Sequence, residues 1–230
     1  MGEFIQLSTS RQQCIGAYLA KPQSAPRGGI VVVQEIFGVN AWVRGGVVER
    51  FAAAGYTAIA PAFFDHVETG VELGYGADGS ARGRTLVGEI GFDRAVEDVA
   101  SAAQAIVSAG KVGVVGYCWG GTIALLAATR LGLPAVSYYG ARNVQVLDEV
   151  PSAPVQFHFG GRDESIPPAA VQRHREHYTT AIAAGDVELY VYADAGHAFD
   201  RDVDTGHFDA ASSALARERT LAFFAKHLVA

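Results

Sequence analysis

Cys118 stands between glycines in Gly116-Tyr117-Cys118-Trp119-Gly120, a G-x-C-x-G spacing that can make a nucleophile. An apolar run at 111–116 (KVGVVG) precedes it, and an Ala/Leu-rich segment follows to about Leu131. The spacing therefore falls at a strand-to-helix junction. A side chain on such a sharp turn is forced into the open, and the flanking glycines remove Cβ clashes from the crossing backbone. The free N–H groups of the following helix favour thiolate over thiol, and the backbone N–H of Trp119 points toward an oxyanion at the attacked carbonyl. The bland alternative is a buried apolar cysteine in a packing turn, and the junction argues against it. Cys14 has neither a helix start nor a neighbouring base and reads as structural.

A thiolate mechanism needs a histidine, commonly held by a carboxylate. In an elbow of this kind the partners follow in the order nucleophile, acid, base. The first acid at a strand end after Cys118 is Asp163, in Phe159-Gly160-Gly161-Arg162-Asp163, with the adjacent Glu164 left open by pattern alone. The base is His197, in a loop after the strand pattern that ends at Tyr192. The other histidines compete less well. His174 and His177 fall on the wet face of a helix, His158 inside a strand, and His207 and His227 on a loop and a terminal helix. His66 lies in an irregular stretch from which it could touch substrate.

Two further patterns are set aside. Residues 74–79 match G-x-G-x-x-G, but they neither follow a strand nor open a predicted helix, so the pyrophosphate-binding rationale is absent. Asp200, Asp202 and Asp204 alternate as in a calcium loop, yet Thr205 and Ala211 stand where glycine and glutamate are required. No metal and no organic cofactor are expected.

The elements that must position these residues alternate along the chain. Strands are predicted at 14–19 (an edge strand), 29–34, 56–60, 111–116, 135–139, 155–159 and 187–192. Helices are predicted from Asn40 to Ala54, from Phe92 through Ile106, from the elbow to Leu131, over 169–184, and at the C-terminus with Leu221, Phe224 and Leu228 on one stripe. That order implies an α/β domain with a mostly parallel sheet between helices. No repeat or linker divides residues 1–230, so one domain is expected. Periodicity fails between Pro61 and Glu89, a lid-like excursion at about 62–90.

Composition narrows the function classes. Of 230 residues, 50% are hydrophobic and 18% charged, which excludes a disordered or fibrous chain. A formal charge of −6 gives no electrostatic reason to bind nucleic acid or an anionic membrane. Two cysteines point to a reducing compartment. No signal peptide or spanning apolar run is visible, so a cytoplasmic protein is expected. A small-molecule substrate is implied, acted on by a monomer or small homo-oligomer.

Four motifs in order give a family resemblance over nearly the whole length: Gln34-Glu35-Ile36-Phe37-Gly38-Val39-Asn40, the G-Y-C-x-G-G at 116–121, Gly161-x-Asp163, and Gly196-His197-x-Phe199. The chain resembles the dienelactone hydrolases, a cysteine-nucleophile branch of the α/β-hydrolase superfamily. The resemblance implies an α/β-hydrolase fold and hydrolysis of a lactone or carboxylic ester through a thioester acyl-enzyme. It implies that Glu35 assists thiolate formation, and that the Ile36 N–H joins that of Trp119 in the oxyanion hole. It further implies that Phe37 lines the substrate pocket and that Arg201 holds a substrate carboxylate. A second carboxylate-binding arginine of the family has Arg82 or Arg84 as its counterpart. Those are followed by Thr85-Leu86-Val87 where family members carry aromatics, and Trp119 is bulkier than is common there. Both departures touch the pocket more than the chemistry. A general carboxylesterase or thioesterase with the same triad is the alternative enzyme. A catalytically silent binding module is the alternative outside enzymes, and it gives no reason to keep Glu35, Cys118, Asp163 and His197 together.

Overall fold

The computed structural model describes residues 2–11 and 13–229. Its contacts gather into two compact units, residues 1–114 with 228–230, and residues 115–227.

In the first unit, β1 (Glu3–Ser8), β2 (Cys14–Ala20), β4 (Thr57–Pro61) and β3 (Gly29–Val33) lie side by side in that order. β3 is buried at every position, as its unbroken β-branched run requires, and pairs in parallel with β4. β2 pairs antiparallel with both β1 and β4, so the predicted edge strand is an interior one. The true edge, β1, carries mostly exposed residues and so lacks an apolar signature. The side chain of Asn40 accepts a hydrogen bond from the Val43 N–H at 3.1 Å and caps a π-helical stretch over Trp42–Val48 that runs into α1 (Glu49–Ala53).

Helix α2 spans Ala77–Ala105 and breaks at Gly91, whose φ of 70° and ψ of 173° are not helical. The helix predicted from Phe92 is its second half. Its first half falls within the stretch read as lid-like, so much of that stretch is helical. Gly76 flanks the helix start, so the G-x-G-x-x-G pattern does open a helix, contrary to expectation, although no strand leads directly into it.

Strand β5 (Val112–Tyr117) carries the chain into the second unit, where α3 (Trp119–Arg130) follows at once. The strand order here is β5, β6 (Ala135–Tyr138), β7 (Val155–Gly160), β8 (Val187–Tyr192), and the β6–β7 and β7–β8 pairs are parallel. The helix predicted over 169–184 is two, α4 (Pro168–His177) and α5 (Thr179–Ala184), parted at the buried Tyr178. His174, expected on a wet face, is fully buried against the rings of Phe157 and Phe159. On α6 (Ala210–Leu228) the buried stripe includes Phe224 and Leu228 but not Leu221, which is 36% exposed. Strands alternate with helices, and pairing is parallel between β3 and β4 and from β6 to β8 but antiparallel where β2 meets β1 and β4, which is the α/β architecture expected. Among the described residues, no helix is long and apolar enough to cross a membrane.

Candidate active site

Cys118 closes the turn between β5 and α3 with φ 55° and ψ −115°. A non-glycine residue held there costs about 1–3 kcal/mol, which the surroundings must impose. They do so by close packing. A Cβ on Gly116 would lie 1.8 Å from the Gly120 carbonyl oxygen, and one on Gly121 would lie 2.7 Å from that of Tyr138. The Cys118 N–H donates to the Tyr138 carbonyl at 3.1 Å, and the Gly121 N–H donates to the Cys118 carbonyl at 3.0 Å. Cys118 remains half-exposed at the start of a 12-residue helix. Trp119 beside it is buried.

Three non-glycine residues among those described have positive φ: Cys118, Tyr139 (36°) and Ala198 (61°). Tyr139 directly follows β6, and its ring centroid lies 5.1 Å from that of His197. Ala198 directly follows His197. The backbone strain of the unit therefore gathers about one imidazole, a pattern typical of functional sites. Tyr139 carries no motif, and sequence reasoning missed it.

His197 and Asp163 come from the loops after β8 and β7. Gly161 N–H donates to the Tyr192 carbonyl at 2.7 Å and Arg162 N–H to that of Ala195 at 2.9 Å. A Cβ on Gly160 would sit 2.6 Å from the Ala195 carbonyl oxygen, so the crossing needs glycine. Asp163 Oδ2 meets His197 Nδ1 at 2.7 Å, while Oδ1 accepts the Ser165 N–H at 2.8 Å. The Asp163 side chain is fully enclosed and Glu164 is exposed, so Asp163 is the partner of the imidazole. Cys118 is the other group that favours the charged form of this imidazole. Burial pushes the His197 pKa down, but Asp163 and then Cys118 outweigh it and raise it to about 10.

Arg201 is buried, and its Nη2 donates to Asp204 Oδ2 at 2.7 Å. Asp204 Oδ2 also meets His207 Nδ1 at 2.9 Å. Asp200 is held by Ser213 at 2.7 Å and Arg217 at 2.6 Å, and Asp202 by Arg217 at 3.1 Å. The alternating acids thus form ion pairs with this chain's own cations. Among the described residues, no group of three or more His, Cys, Asp or Glu could hold a metal ion. His158 is a core histidine as expected, bonded to Tyr192 and Gln156 at 2.8 Å each, with its pKa lowered to about 3 by burial and by Arg219.

In the first unit, the loop after β3 carries the other motif residues. Glu35 is 2% exposed, Ile36 half-buried, and Phe37 packs edge-on against Tyr75 at 4.8 Å. The loop is pinned on two sides. Leu73 N–H donates to the Phe37 carbonyl at 2.9 Å, and Gly38 (φ +85°) passes so close to Val71 that a Cβ would lie 2.1 Å from its carbonyl oxygen. Gly83 of α2 faces Ile36, where a Cβ would lie 2.0 Å from the carbonyl oxygen. Much of the 62–90 stretch therefore serves to hold Ile36 and Phe37 in place. Arg82 and Arg84 are both exposed, and Arg82 donates to Glu68 at 2.6 Å. His66, which from the sequence could touch substrate, has a side chain only 1% exposed that pairs with Asp98 at 2.7 Å. Burial raises the Asp98 pKa to about 6, against the opposing pull of His66.

Comparison with known proteins places the chain in a family. The model of the dienelactone hydrolase family matches residues 15–228. A carboxymethylenebutenolidase of Pseudomonas putida is 34% identical over 233 residues, covering 97% of this chain and 96% of that one. A Klebsiella pneumoniae crystal structure described as a dienelactone hydrolase superposes with a TM-score of 0.85 at 29% identity, covering 99% of this chain and all of that one (100%). A metagenomic dienelactone hydrolase-like promiscuous phosphotriesterase shares the fold, with a TM-score of 0.78 at 18% identity over 99% of each chain. The chain belongs to the dienelactone hydrolase family and is, with that family, a carboxylic ester hydrolase of the α/β-hydrolase fold.

Proposed function

We propose that the protein opens a lactone or carboxylic ester of the carboxymethylenebutenolide type by acyl transfer to Cys118. The thiolate attacks the carbonyl carbon, and the electron pair displaced onto oxygen is met by the N–H of Trp119 and, on the family resemblance, by that of Ile36. Collapse of the tetrahedral intermediate breaks the carbon–oxygen bond and expels an enolate or alkoxide, which takes up the proton of the His197 imidazolium and leaves a thioester beside a neutral imidazole. His197, oriented by Asp163, then takes a proton from water as the resulting hydroxide attacks the thioester. Cys118 departs as thiolate beside the imidazolium, which restores the starting pair, and the carboxylic acid product ionises to solvent. On the family resemblance Glu35 assists thiolate formation. Cys14 and Cys118 are both free thiols, which suits a reducing, cytoplasmic setting.

The observation that carries this reading is the imidazole bonded to a buried carboxylate, with its charge favoured by a cysteine held in a strained strand-to-helix turn. A second reading, a neutral-ester or thioester hydrolase, draws on a separate fact. Arg201 is already paired with Asp204 and Arg82 with Glu68, so a substrate carboxylate must displace an internal partner. Hydrolysis of dienelactone, neutral lactones, aryl esters and thioesters by wild type and Cys118→Ala tests both. Wild type should release product with a burst and the variant should fall by at least about 10³-fold. Equal rates for the two proteins remove Cys118 as nucleophile, and a preference for neutral esters selects the second reading.

A further inference from the structure

Beyond hydrolysis, we infer that the first unit carries a small-molecule site that takes an uncharged ligand with an apolar body and a carboxamide head, held by Gln34. A cavity of about 290 Å³ lies at the C-terminal ends of the parallel strands β3 and β4, where open α/β sheets receive ligands. Gln34, the residue after β3, lines it. Its side chain is 1% exposed, yet neither its Nε2 nor its Oε1 has a hydrogen-bond partner in the protein. Buried amides are normally satisfied, and one left open at both ends needs a donor and an acceptor from elsewhere. A carboxamide supplies both, side by side, in a cyclic pair.

The rest of the lining selects against charge. Phe64, Val39 and Val71 give apolar walls, and the exposed ring of Phe4 sits among the lining residues. Two carboxylates, Asp65 and Glu72, line the cavity, and among the described residues no Lys, Arg or His does. Asp65 is fixed in place, accepting the N–H groups of Gly16 at 2.7 Å and Gly70 at 2.9 Å, and Glu72 meets Arg44 at 2.6 Å. An anionic head group would face both carboxylates with no cation in the lining, whereas a neutral amide would not be repelled.

Benzamide, benzoate and toluene titrated into the isotope-labelled full-length Cys118→Ala protein provide the test. Benzamide should bind saturably, shifting the Gln34 side-chain amide and the backbone signals of Gly16 and Gly70, and benzoate should bind at least about tenfold more weakly. Gln34→Leu should weaken benzamide by about tenfold or more while leaving toluene bound. Val71→Trp, which fills the cavity and keeps Gln34, should abolish both. The inference is overturned if benzamide does not saturate, if benzoate matches it, if Gln34→Leu leaves it unchanged, or if Val71→Trp does. Shifts confined to the surroundings of position 118 would also overturn it. Because hydrolysis by wild type is measured separately, either result leaves the assignment of Cys118 to its own test.

Discussion

In the free protein the positive charge of His197 is favoured by Asp163 on one side and by Cys118 on the other, which is why its pKa rises to about 10 despite burial. Under the proposed mechanism only one of those supports survives acylation. Once sulfur carries an acyl group it is neutral, and burial then opposes the imidazolium with Asp163 alone to resist it. On the proposed mechanism the same residue is protonated when the thiolate must be stabilised and easier to deprotonate when water must be activated. Histidine-selective NMR should show His197 titrating well above its usual range near 6.5, toward about 10, in the resting protein. Alkylating Cys118 to a neutral thioether should lower that pKa, and Asp163→Asn should lower it further while cutting kcat by about 10²–10⁴-fold. A titration that ignores alkylation would mean that the sulfur carries no charge toward the imidazole.

Helix α2 makes a sharper test of packing, because two of its glycines five positions apart differ in surroundings. A Cβ on Gly83 meets the Ile36 carbonyl oxygen at 2.0 Å, while one on Gly88 meets nothing within 4 Å. Gly88→Ala should therefore stabilise the protein by about 0.5–1 kcal/mol through helix propensity. Gly83→Ala should destabilise it by about 1–3 kcal/mol and displace Ile36, lowering kcat/KM as well. Urea unfolding of the two variants separates these outcomes, and equal effects would contradict the close approach. The same helix shows what was legible from sequence. Its second half announces itself by apolar spacing, whereas the first half is diluted by glycines whose purpose is tertiary. The elbow was legible because its glycines serve a local turn. Tyr139 was not, since nothing local calls for its φ of 36°, and β1 was hidden by its exposure. His174 misled because it sits among charged neighbours, and its burial against Phe157 and Phe159 comes from residues distant in sequence. The Asp163–His197 pair followed from chain order, but only the enclosure of Asp163 and exposure of Glu164 decide between two adjacent acids.

At the scale of the whole chain the formal charge is −6, and an anionic lactone approaches against that field. Local cations could reverse the sign, but Arg201 and Arg82 each already share their charge with a carboxylate of the chain. Net repulsion should then govern encounter. Screening weakens repulsion as the Debye length shrinks, so raising salt from about 10 mM to about 200 mM should increase kcat/KM for a carboxylate-bearing lactone by roughly two- to fivefold. A neutral lactone of the same size should show no such change, which controls for effects of salt on the enzyme itself. If kcat/KM for the acid instead falls with salt, the substrate experiences a net positive site and Asp204 must yield Arg201 to it. In that case Arg201→Gln should flatten the salt dependence for the acid and leave the neutral lactone untouched, tying the field to one guanidinium.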